Sequence, residues 1–403
     1  MIIKNGNVLL DGAFIRTDLL ISKEKISAVG SFDGADSEAI DASDMYVLPG
    51  FIDTHIHGAY GHRFSDPNPD IDAITGYEAS QGVTTLAATT GSSELNSLLR
   101  QFDVIAAAIQ KGTKGAKIAG IHAEGPFLNV KRKGAMIPEY ILPPSIEKAE
   151  RMLERAQGFL KIMTVAPEAE NAKELIEFLV RNHVVVSMGH TDATLEEAEN
   201  GVRWGATQAT HTFNAMRPYG HREPGVLGCA LTNPKVKCEM ICDFVHIHPK
   251  TAEIIYRLKG ADNVNMVSDT GHCAGLDLKE FSVEGQMRYV VDGVVRLADG
   301  TIAGSTKTVY EGVKNLYSLG IPLADISKMA SLNPAKTLGI DKETGSIEVG
   351  KYADIVILDK DLNIIHTLVN GKVFKINSGS IRKKENFYAL RKNRDSKRQI
   401  PCL

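Results

Sequence analysis

Side chains that can bind a metal recur along this chain directly after short apolar runs. His55 and His57 are two residues apart, so both lie on one face of a strand and can reach the same ion. Imidazole and carboxylate ligands suit divalent zinc, iron, manganese or cobalt. The other candidate ligands follow four further runs: Glu124, His190, His211 and Asp269. The set predicts a centre that holds one or two divalent ions.

A metal centre of this composition can hydrolyse an amide. Bound metal lowers the pKa of water to about 7 and polarises a carbonyl oxygen. Glu124 has two oxygens and can bridge two ions, with His190 and His211 holding the second ion. Asp269 can accept the proton of the water and return it to the departing nitrogen. We therefore predict Asp269 as the catalytic acid and base and also as a metal ligand.

The argument depends on the whole set rather than on one residue. A single histidine at the end of a strand is more often a hydrogen-bonded structural residue than a ligand. Here five separate elements place histidine or carboxylate at the same end, which favours a functional site.

Eight short Val-, Ile- and Ala-rich runs carry these residues, and candidate helices lie between many of them. The runs are Val47–Asp53, Val83–Ala87, Lys117–His122, Leu160–Val165, Val184–Met188, Ala206–Thr210, Val236–Cys242 and Val264–Ser268. The helices are Leu95–Gln110, Ile146–Ala156, Ala172–Arg181, Leu195–Trp204 and Pro249–Leu258. Strands that alternate with helices form a parallel sheet, and eight units fit a closed α/β barrel, the (β/α)₈ or TIM-like barrel. An open doubly wound sheet fits the alternation too, but it does not require eight strands.

Both ends of the chain are rich in β-forming residues. Asn370-Gly371 between two such runs predicts a hairpin. We predict that residues 1–49 and 343–376 form a small β-sandwich domain and that residues 50–342 form the barrel. The basic segment 377–403 reads as a solvated terminus rather than a docking tail.

Composition restricts the partners and the compartment. The net charge of −3 gives no reason to expect nucleic acid or an anionic membrane as a partner. The number of cysteines is odd, five, and none forms a Cys-x-x-Cys pair, as is usual in a reducing compartment. We find no signal peptide and no apolar run of transmembrane length, so we expect a cytoplasmic protein.

Several motifs resemble those of a known family. Leu48-Pro-Gly-Phe-Ile-Asp-Thr-His-Ile-His57 and Gly345-Ser-Ile-Glu-Val-Gly-Lys-Tyr-Ala-Asp354 resemble the two signatures of the amidohydrolase superfamily. Narrower motifs are His122-Ala-Glu-Gly-Pro-Phe-Leu-Asn129, Gly189-His190-Thr-Asp-Ala, Thr210-His-Thr-Phe-Asn-Ala-Met216, Arg222-Glu-Pro-Gly225 and Leu332-Asn-Pro-Ala335. Together they resemble the N-acetylglucosamine-6-phosphate deacetylase family over residues 1–376. The resemblance implies a barrel with a small β-sandwich, a homodimer, and deacetylation of an N-acetyl amino sugar 6-phosphate.

The resemblance also implies roles for individual residues. It assigns metal ligation to Glu124, His190 and His211, and the acid and base role to Asp269. Because the chain keeps His55 and His57, two metals are plausible. The fourth run is followed by no lysine that could bridge two ions, which agrees with Glu124 as the bridge. The implied substrate contacts are Ala135, Met136, Asn214, the backbone N–H of Ala215, Arg222, His246, Ile302, Ala303 and Gly304, some of them from the neighbouring subunit.

The chain departs from the family around the substrate. Met136 stands where histidine is common, Phe244 where glycine is usual, and His272 and Cys273 are atypical after Asp269. Two alternatives to N-acetylglucosamine 6-phosphate therefore stay open. One is a different N-acyl substrate, such as N-acetylgalactosamine 6-phosphate or an unphosphorylated amide. The other is a non-catalytic barrel used in assembly or regulation, which the complete ligand set argues against.

Overall fold

The computed structural model describes residues 1–32 and 38–375, and the predicted basic tail lies outside the described residues. Its centre is an eight-stranded parallel sheet in which each strand pairs with the next one along the chain. The strands are Phe51–Ile56, Val83–Thr90, Lys117–Glu124, Leu160–Val165, Val185–Met188, Gln208–Ala209, Lys237–Ile241 and Val264–Val267. We refer to them as the first to the eighth barrel strand. The predicted α/β barrel of eight strands is confirmed.

The first and eighth barrel strands close the barrel through bonds beside their carboxyl ends. The N–H of Asp269 donates to the carbonyl of His55 at 2.8 Å, and the N–H of His57 donates to the carbonyl of Thr270 at 2.9 Å. One carboxylate oxygen of Asp53 accepts the N–H groups of His55 and Ser268 at 3.1 and 3.3 Å. The closure therefore fixes the backbone of three predicted site residues.

Helices cover the outside of the barrel. They span Ile71–Ser80, Leu95–Lys111, Ile146–Ala156, Ala172–Arg181, Leu195–Trp204, Gly225–Thr232, Pro249–Lys259, Val309–Ser318, Leu323–Ser327 and Asn333–Leu338, with a π-helical turn at Lys328–Leu332. Local sequence sets their limits: Thr194 and Glu197 form a capping box before Leu195, and Gly205 ends that helix with φ of 117°. The five predicted helices are confirmed, with small shifts at two carboxyl ends. Within the described ranges, no helix is both long and apolar enough to cross a membrane.

The barrel strands are buried on both faces, which explains why their sequences do not alternate. Every residue of Val83–Thr90 is buried, as expected of parallel strands under a layer of helices. The hydrophobic core continues from the strands into the surrounding helices, for example at Phe102 and Leu175, both 0% exposed. This packing holds the strand ends in place at the mouth of the barrel.

The two ends of the chain share a second eight-stranded sheet with its own hydrophobic core. Its strands are Ile2–Leu10, Ala13–Ser22, Lys25–Gly30, Ala39–Asp41, Tyr46–Pro49, Ile355–Leu358, Ile364–Val369 and Lys372–Val373. The predicted hairpin at Asn370-Gly371 is present, and both residues have the positive φ of a type I′ turn, 48° and 72°. The domain limits at residues 49 and 343 stay a prediction.

Short elements that the sequence pattern did not predict surround the carboxyl end of the barrel. A two-stranded hairpin, Gly58–Ala59 with His62–Arg63, follows the first barrel strand. A three-stranded antiparallel sheet follows the eighth: Glu280–Val283, Gln286–Val291 and Val294–Arg296. Single 3₁₀ turns lie at Val130–Arg132 and Pro138–Tyr140, after the third barrel strand, and a further one, Ala261–Asn263, precedes the eighth strand at the amino end of the barrel.

Candidate metal centre and substrate cavity

All six predicted metal ligands meet at the carboxyl end of the barrel. Three of them follow their strands with a left-handed backbone: φ is 46° at His190, 29° at His211 and 51° at Asp269. Non-glycine residues rarely adopt this conformation, and its cost is tolerated most often at functional sites. Here the turn directs each side chain back over the mouth of the barrel rather than along the strand.

Glu124, His190 and His211 form the first group of potential ligands. Oε1 of Glu124 lies 3.1 Å from Nε2 of His190 and 3.0 Å from Nε2 of His211, and the two nitrogens are 3.0 Å apart. Tetrahedral zinc with bonds of about 2.0–2.1 Å needs ligand atoms roughly 3.3 Å apart. The three side chains are therefore spaced almost as a bound ion requires.

His55, His57 and Asp269 form the second group. Oδ1 of Asp269 lies 3.3 Å from Nε2 of His57 and 3.7 Å from Nε2 of His55. Glu124 joins the two groups, since its Oε1 is 3.4 Å from His55 and its Oε2 is 3.2 Å from His57. One carboxylate thus contacts both candidate ion positions, as a bridging ligand must.

Hydrogen bonds set the tautomers of the histidines in favour of metal binding. Nδ1 of His190 donates to the carbonyl of Arg132 at 2.7 Å, and Nδ1 of His55 donates to Glu239 at 3.0 Å. In each ring Nε2 therefore faces the site, and it offers a lone pair to an ion once its proton is lost. Nε2 of His55 is buried and has no hydrogen-bond partner among the described residues. A buried lone pair without a partner is what the chemistry of a metal ligand requires.

His122 ends the same barrel strand as Glu124 but is not available as a ligand. Its Nδ1 donates to the carbonyl of Thr54 at 3.0 Å, and its Nε2 accepts from the hydroxyl of Thr164 at 2.9 Å. Both ring nitrogens are engaged, so His122 supports the layer beneath the metal centre. Thr164 is the inward residue of the fourth strand, where the sequence provides no lysine.

Glu239 is a functional candidate that the sequence analysis missed. It is 0% exposed in the seventh barrel strand, where one carboxylate oxygen contacts Nδ1 of His55 and also accepts the backbone N–H of His211 at 3.0 Å. The other oxygen accepts from the amide of Gln208 at 2.7 Å. Glu239 thus orients one residue of each ligand group. A carboxylate inside the apolar run Val236–Cys242 was the signal available in the sequence.

The site concentrates opposite charges in a buried space. Burial raises the pKa of Glu124, but the charge on His55 and hydrogen bonds from His190 and His211 outweigh it and hold that pKa well below its usual range. Burial likewise raises the pKa of Asp269, but the hydrogen bond and charge of His57 with the charge of His55 lower it to about 2. Both carboxyl groups are therefore ionised at neutral pH, as metal ligation and proton acceptance require.

The metal centre forms the floor of a cavity of about 390 Å³. Eight of the nine predicted substrate contacts line it: Ala135, Met136, Asn214, Ala215, His246, Ile302, Ala303 and Gly304. Arg222 does not line the cavity and is exposed. Gly134 lets the loop that carries Ala135 and Met136 approach closely, because a Cβ there would lie 3.2 Å from the ring of His190.

His246 is arranged to contact an anion. Its Nδ1 donates to Asp243 at 2.8 Å. Burial lowers the pKa of His246, but the hydrogen bond and the charge of Asp243 outweigh it and raise that pKa. A protonated ring leaves its second N–H free for the cavity.

Of the residues that depart from the family pattern, only Met136 lines the cavity. The ring of His272 stacks on Phe281 with centroids 5.0 Å apart. Cys273 is 2% exposed and packs into a small cluster with Phe281 and Ala303. These two residues therefore support the wall of the cavity from behind.

Sequence reasoning also missed several side chains of the cavity wall. Arg63 belongs to the hairpin after the first barrel strand, while Glu284 and Arg288 belong to the sheet after the eighth. Ser92 and the 3₁₀ residues Lys131 and Arg132 complete this part of the lining. None of them follows a barrel strand in a pattern that a single sequence reveals.

Comparison with known proteins gives matches along most of the chain. Residues 46–374 match the amidohydrolase family. The N-acetylglucosamine-6-phosphate deacetylase of Bacillus subtilis is 35% identical over 377 residues, which cover 92% of this chain and 93% of that protein. The N-acetylgalactosamine-6-phosphate deacetylase of Escherichia coli O157:H7 is 33% identical over 329 residues, with 81% and 87% covered. The solved N-acetyl-D-glucosamine-6-phosphate deacetylase of Mycobacterium smegmatis, in complex with N-acetyl-D-glucosamine-6-phosphate, superposes with a TM-score of 0.87 at 32% identity, covering 93% of this chain and 99% of that one.

Proposed function

Because this chain belongs to the amidohydrolase family, we propose that it hydrolyses the acetamide of an N-acetyl amino sugar 6-phosphate. The products are acetate and the amino sugar 6-phosphate, and the first choice of substrate is N-acetylglucosamine 6-phosphate. The observation that carries the proposal is the convergence of two ligand groups and Asp269 on one cavity. The activity named for the relatives supports the same reaction.

The residues of the site have separate roles in the proposed reaction. One or two divalent ions held by His55, His57, Glu124, His190, His211 and Asp269 would supply a Lewis acid and acidify the attacking water. Asp269 is ionised, so it can accept the proton of that water and carry it to the amide nitrogen as the C–N bond breaks. The side chain of Met136 has no N–H to donate to the scissile carbonyl and contributes apolar contact instead, while its backbone N–H donates to the carbonyl of Lys133.

The far end of the cavity would receive the phosphorylated end of the sugar. His246 and Asn214 present N–H donors there, and Ile302, Ala303 and Gly304 form the wall against which the ring would lie. A protonated His246 matches the charge of a phosphate. This arrangement supports a phosphorylated substrate over a plain sugar.

We infer a homodimer in which Arg222 reaches the phosphate of the neighbouring subunit. The residue is exposed and lies off the cavity of its own subunit, which is consistent with a role across an interface. The test is to mix the inactive variants Arg222→Gln and Asp269→Asn. A mixed dimer holds one site with both native residues, so activity should return on mixing; no recovery would contradict the shared site.

We also infer a cytoplasmic location. The four cysteines in the described residues, Cys229, Cys238, Cys242 and Cys273, are buried and free, which is consistent with a reducing compartment. Fractionation of cells that produce the protein tests this inference.

Acetate release from a panel of substrates tests the proposed function. The panel contains the 6-phosphates of N-acetylglucosamine and N-acetylgalactosamine and both sugars without phosphate, each with native and chelator-treated protein. We expect the phosphorylated glucosamine epimer to react fastest and chelation to abolish turnover. Preference for the galactosamine epimer or for a plain sugar would favour the first alternative. A metal-free protein that releases no acetate from any member would favour a role in assembly or regulation.

A further inference from the structure

Two arginine side chains line the cavity without an acidic partner. Lys131 and Arg132, which also line it, both form ion pairs with Asp192, at 3.5 and 2.7 Å. Across residues 1–32 and 38–375, no carboxylate oxygen lies within 4.0 Å of the guanidinium of Arg63 or Arg288. Cations withdrawn from water are costly unless an anion compensates them. Glu284 and Asp269 attract Arg288 only from beyond ion-pair distance, so the lack of an ion-pair partner among the described residues points to an anion supplied by a ligand.

Arg63 is held rigidly beside the metal centre. It pairs with Gly58 in the hairpin after the first barrel strand. The next residue, Phe64, donates its N–H to the carbonyl of His57 at 3.0 Å, and the N–H of Arg63 itself donates to Asp66 at 2.8 Å. Arg63 is only 9% exposed. The backbone of Arg63 is therefore fixed next to a predicted ligand, and its side chain is largely withdrawn from solvent.

Arg288 faces the cavity from a strand whose pattern is inverted. Along Gln286–Val291 the outward residues are apolar: Met287, Tyr289 and Val291, exposed by 43%, 36% and 52%. Because side chains alternate between the faces of a strand, Arg288 points the other way, against the usual distribution of polar and apolar residues. Its Nη1 donates to the carbonyl of Ala303 at 3.2 Å, and its Nε is buried without a hydrogen-bond partner in the part of the chain that the structure describes.

The guanidinium groups of Arg63 and Arg288 lie close enough for their charges to interact. Burial, and after it the positive charge of Arg63, lower the pKa of Arg288 to about 10, so the group stays a cation at neutral pH. Glu284 lies on the same wall, where it accepts from the hydroxyl of Ser93 at 3.3 Å. One carboxylate against two guanidinium groups leaves this wall positive.

We call the wall formed by Arg63, Glu284 and Arg288 the arginine wall, and part of it lies apart from the expected phosphate contacts. Arg63 follows the first barrel strand, and Ser92, which also lines the cavity, follows the second. Asn214 follows the sixth strand, three strands from the first around the closed barrel, whereas His246 follows the seventh, next to the eighth strand that precedes Arg288. Arg63 and Asn214 therefore lie at different parts of the cavity rim.

We propose that Arg63 and Arg288 bind a second oxyanion of the substrate, in addition to the 6-phosphate. The inference rests on the proposed function, which places the phosphate at Asn214 and His246. Guanidinium forks match carboxylate and phosphate oxygens alike. The second group is thus either a carboxylate on the acyl chain or on the sugar, or a second phosphate on the sugar. In either form the natural substrate is more acidic than N-acetylglucosamine 6-phosphate.

Substrate comparison with arginine variants tests the proposal. The panel is N-acetylglucosamine 6-phosphate, its 1,6-bisphosphate, the N-succinyl analogue of the 6-phosphate, and the 6-phosphate with a carboxyalkyl ether at O3. We expect at least one of the three acidic members to exceed the parent in kcat/KM by about tenfold or more, which identifies the source of the oxyanion. Arg63→Gln and Arg288→Gln should each lose about 10- to 100-fold on that member, as expected for a charge-assisted hydrogen bond, and a smaller factor on the parent, which lacks the second oxyanion. The matched control is Met287→Gln, which alters the opposite face of the same strand.

A binding measurement separates this proposal from the reaction itself. Titration of the purified metal-loaded protein with succinate and with inorganic phosphate, followed by calorimetry, should show a site that weakens in Arg288→Gln and not in Met287→Gln. If no amide is hydrolysed but this site is present, the subsite stands and the reaction is wrong. If the parent is hydrolysed while both arginine variants match the native protein in every substrate and binding arm, the subsite is wrong. A loss on the parent that equals the loss on the acidic members would also overturn it, because the arginines would then bind the 6-phosphate itself.

Discussion

Replacing Glu239 by glutamine should weaken one metal position while leaving the fold intact. Glu239 contacts Nδ1 of His55 with one oxygen, which also accepts the backbone N–H of His211, and binds Gln208 with the other. Glutamine has nearly the same shape but only one acceptor oxygen and no charge. The substitution therefore removes the charge behind His55 without opening a cavity.

The neighbouring amides can reorganise to accept the glutamine. If its oxygen faces His55, its NH₂ meets the NH₂ of Gln208, which must turn over. The amide of Asn265 now donates to Gln208 at 3.0 Å and to Thr337 at 2.9 Å, while its own oxygen is buried without a partner. Turning Asn265 as well lets that oxygen accept from Gln208, and the hydroxyl of Thr337 can donate to it. The number of buried polar atoms without a hydrogen-bond partner therefore does not rise. The lost negative charge is then the main effect of the substitution on metal binding.

The expected magnitude follows from the role of such supporting residues. Loss of a carboxylate behind a metal-binding histidine typically costs 10- to 100-fold in metal affinity, or about 1.4–2.7 kcal/mol. The effect should fall chiefly on the ion at His55, His57 and Asp269, because Glu239 contacts the side chain of His55 but only the backbone of His211.

Metal content after dialysis against graded chelator concentrations measures the effect. Native protein should lose its ions at higher chelator concentrations than Glu239→Gln does. As the chelator concentration rises, the variant should pass through a form that holds one ion. Glu78→Gln is a matched control, since Glu78 is also a 0% exposed glutamate and contacts no predicted ligand. If Glu239→Gln retained both ions up to the same chelator concentrations as native protein, this account would be refuted. Loss of both ions in a single step would refute it as well.

Three further predictions concern catalysis, stability and metal removal. Asp269→Asn should lower kcat by about 10²–10⁴-fold while calorimetry still detects substrate binding; native turnover would exclude Asp269 as the proton carrier. Burial raises the pKa of Glu78 well above its usual value, so the folded chain holds a proton that the unfolded chain releases, and the associated stability is lost as pH rises above about 4.5 towards the folded pKa. Glu78→Gln should therefore be more stable than native protein by on the order of 1–3 kcal/mol at pH 8 and equally stable near pH 4, as urea unfolding can measure; a difference independent of pH would contradict the reasoning. Chelation should lower Tm by a few degrees and zinc or manganese should restore it, because metal binds only the folded chain; an unchanged Tm would argue against a bound ion.

The metal centre could be predicted because barrel topology converts positions in the sequence into positions in space. Each ligand directly follows an apolar run, and parallel strands bring their carboxyl ends to one mouth. His55 and His57 needed only the two-residue repeat of a strand. The same reasoning gave eight strands and five helices, and the limits agree within a few residues except at the first run. Val47–Asp53 was wrong as one strand, because Tyr46–Pro49 belongs to the sheet of the chain ends and the barrel strand is Phe51–Ile56.

The arginine wall could not be predicted, because no strand end places it. Arg288 reaches the cavity through a sheet of three short strands inserted after the eighth barrel strand. In the strand Gln286–Val291, Arg288 faces the cavity while apolar residues face outward. The sequence pattern alone therefore does not predict which face of the strand is covered. Glu239 was overlooked for the opposite reason: it lies inside a run that reads as apolar core. In both cases tertiary packing, not the local pattern, decides what the side chain contacts.

Glu124 makes the two ligand groups one unit, and barrel geometry explains why this residue does so. It ends the third barrel strand, which lies two strands from the first and two strands from the fifth. Its Oε1 is therefore within 3.4 Å of ligands on either side, namely His55, His190 and His211, while its Oε2 lies 3.2 Å from His57. A change at Glu124 must disturb both ion positions, whereas a change at a supporting residue behind one histidine disturbs mainly one. That contrast follows from strand order alone and holds for whichever divalent metal the site binds.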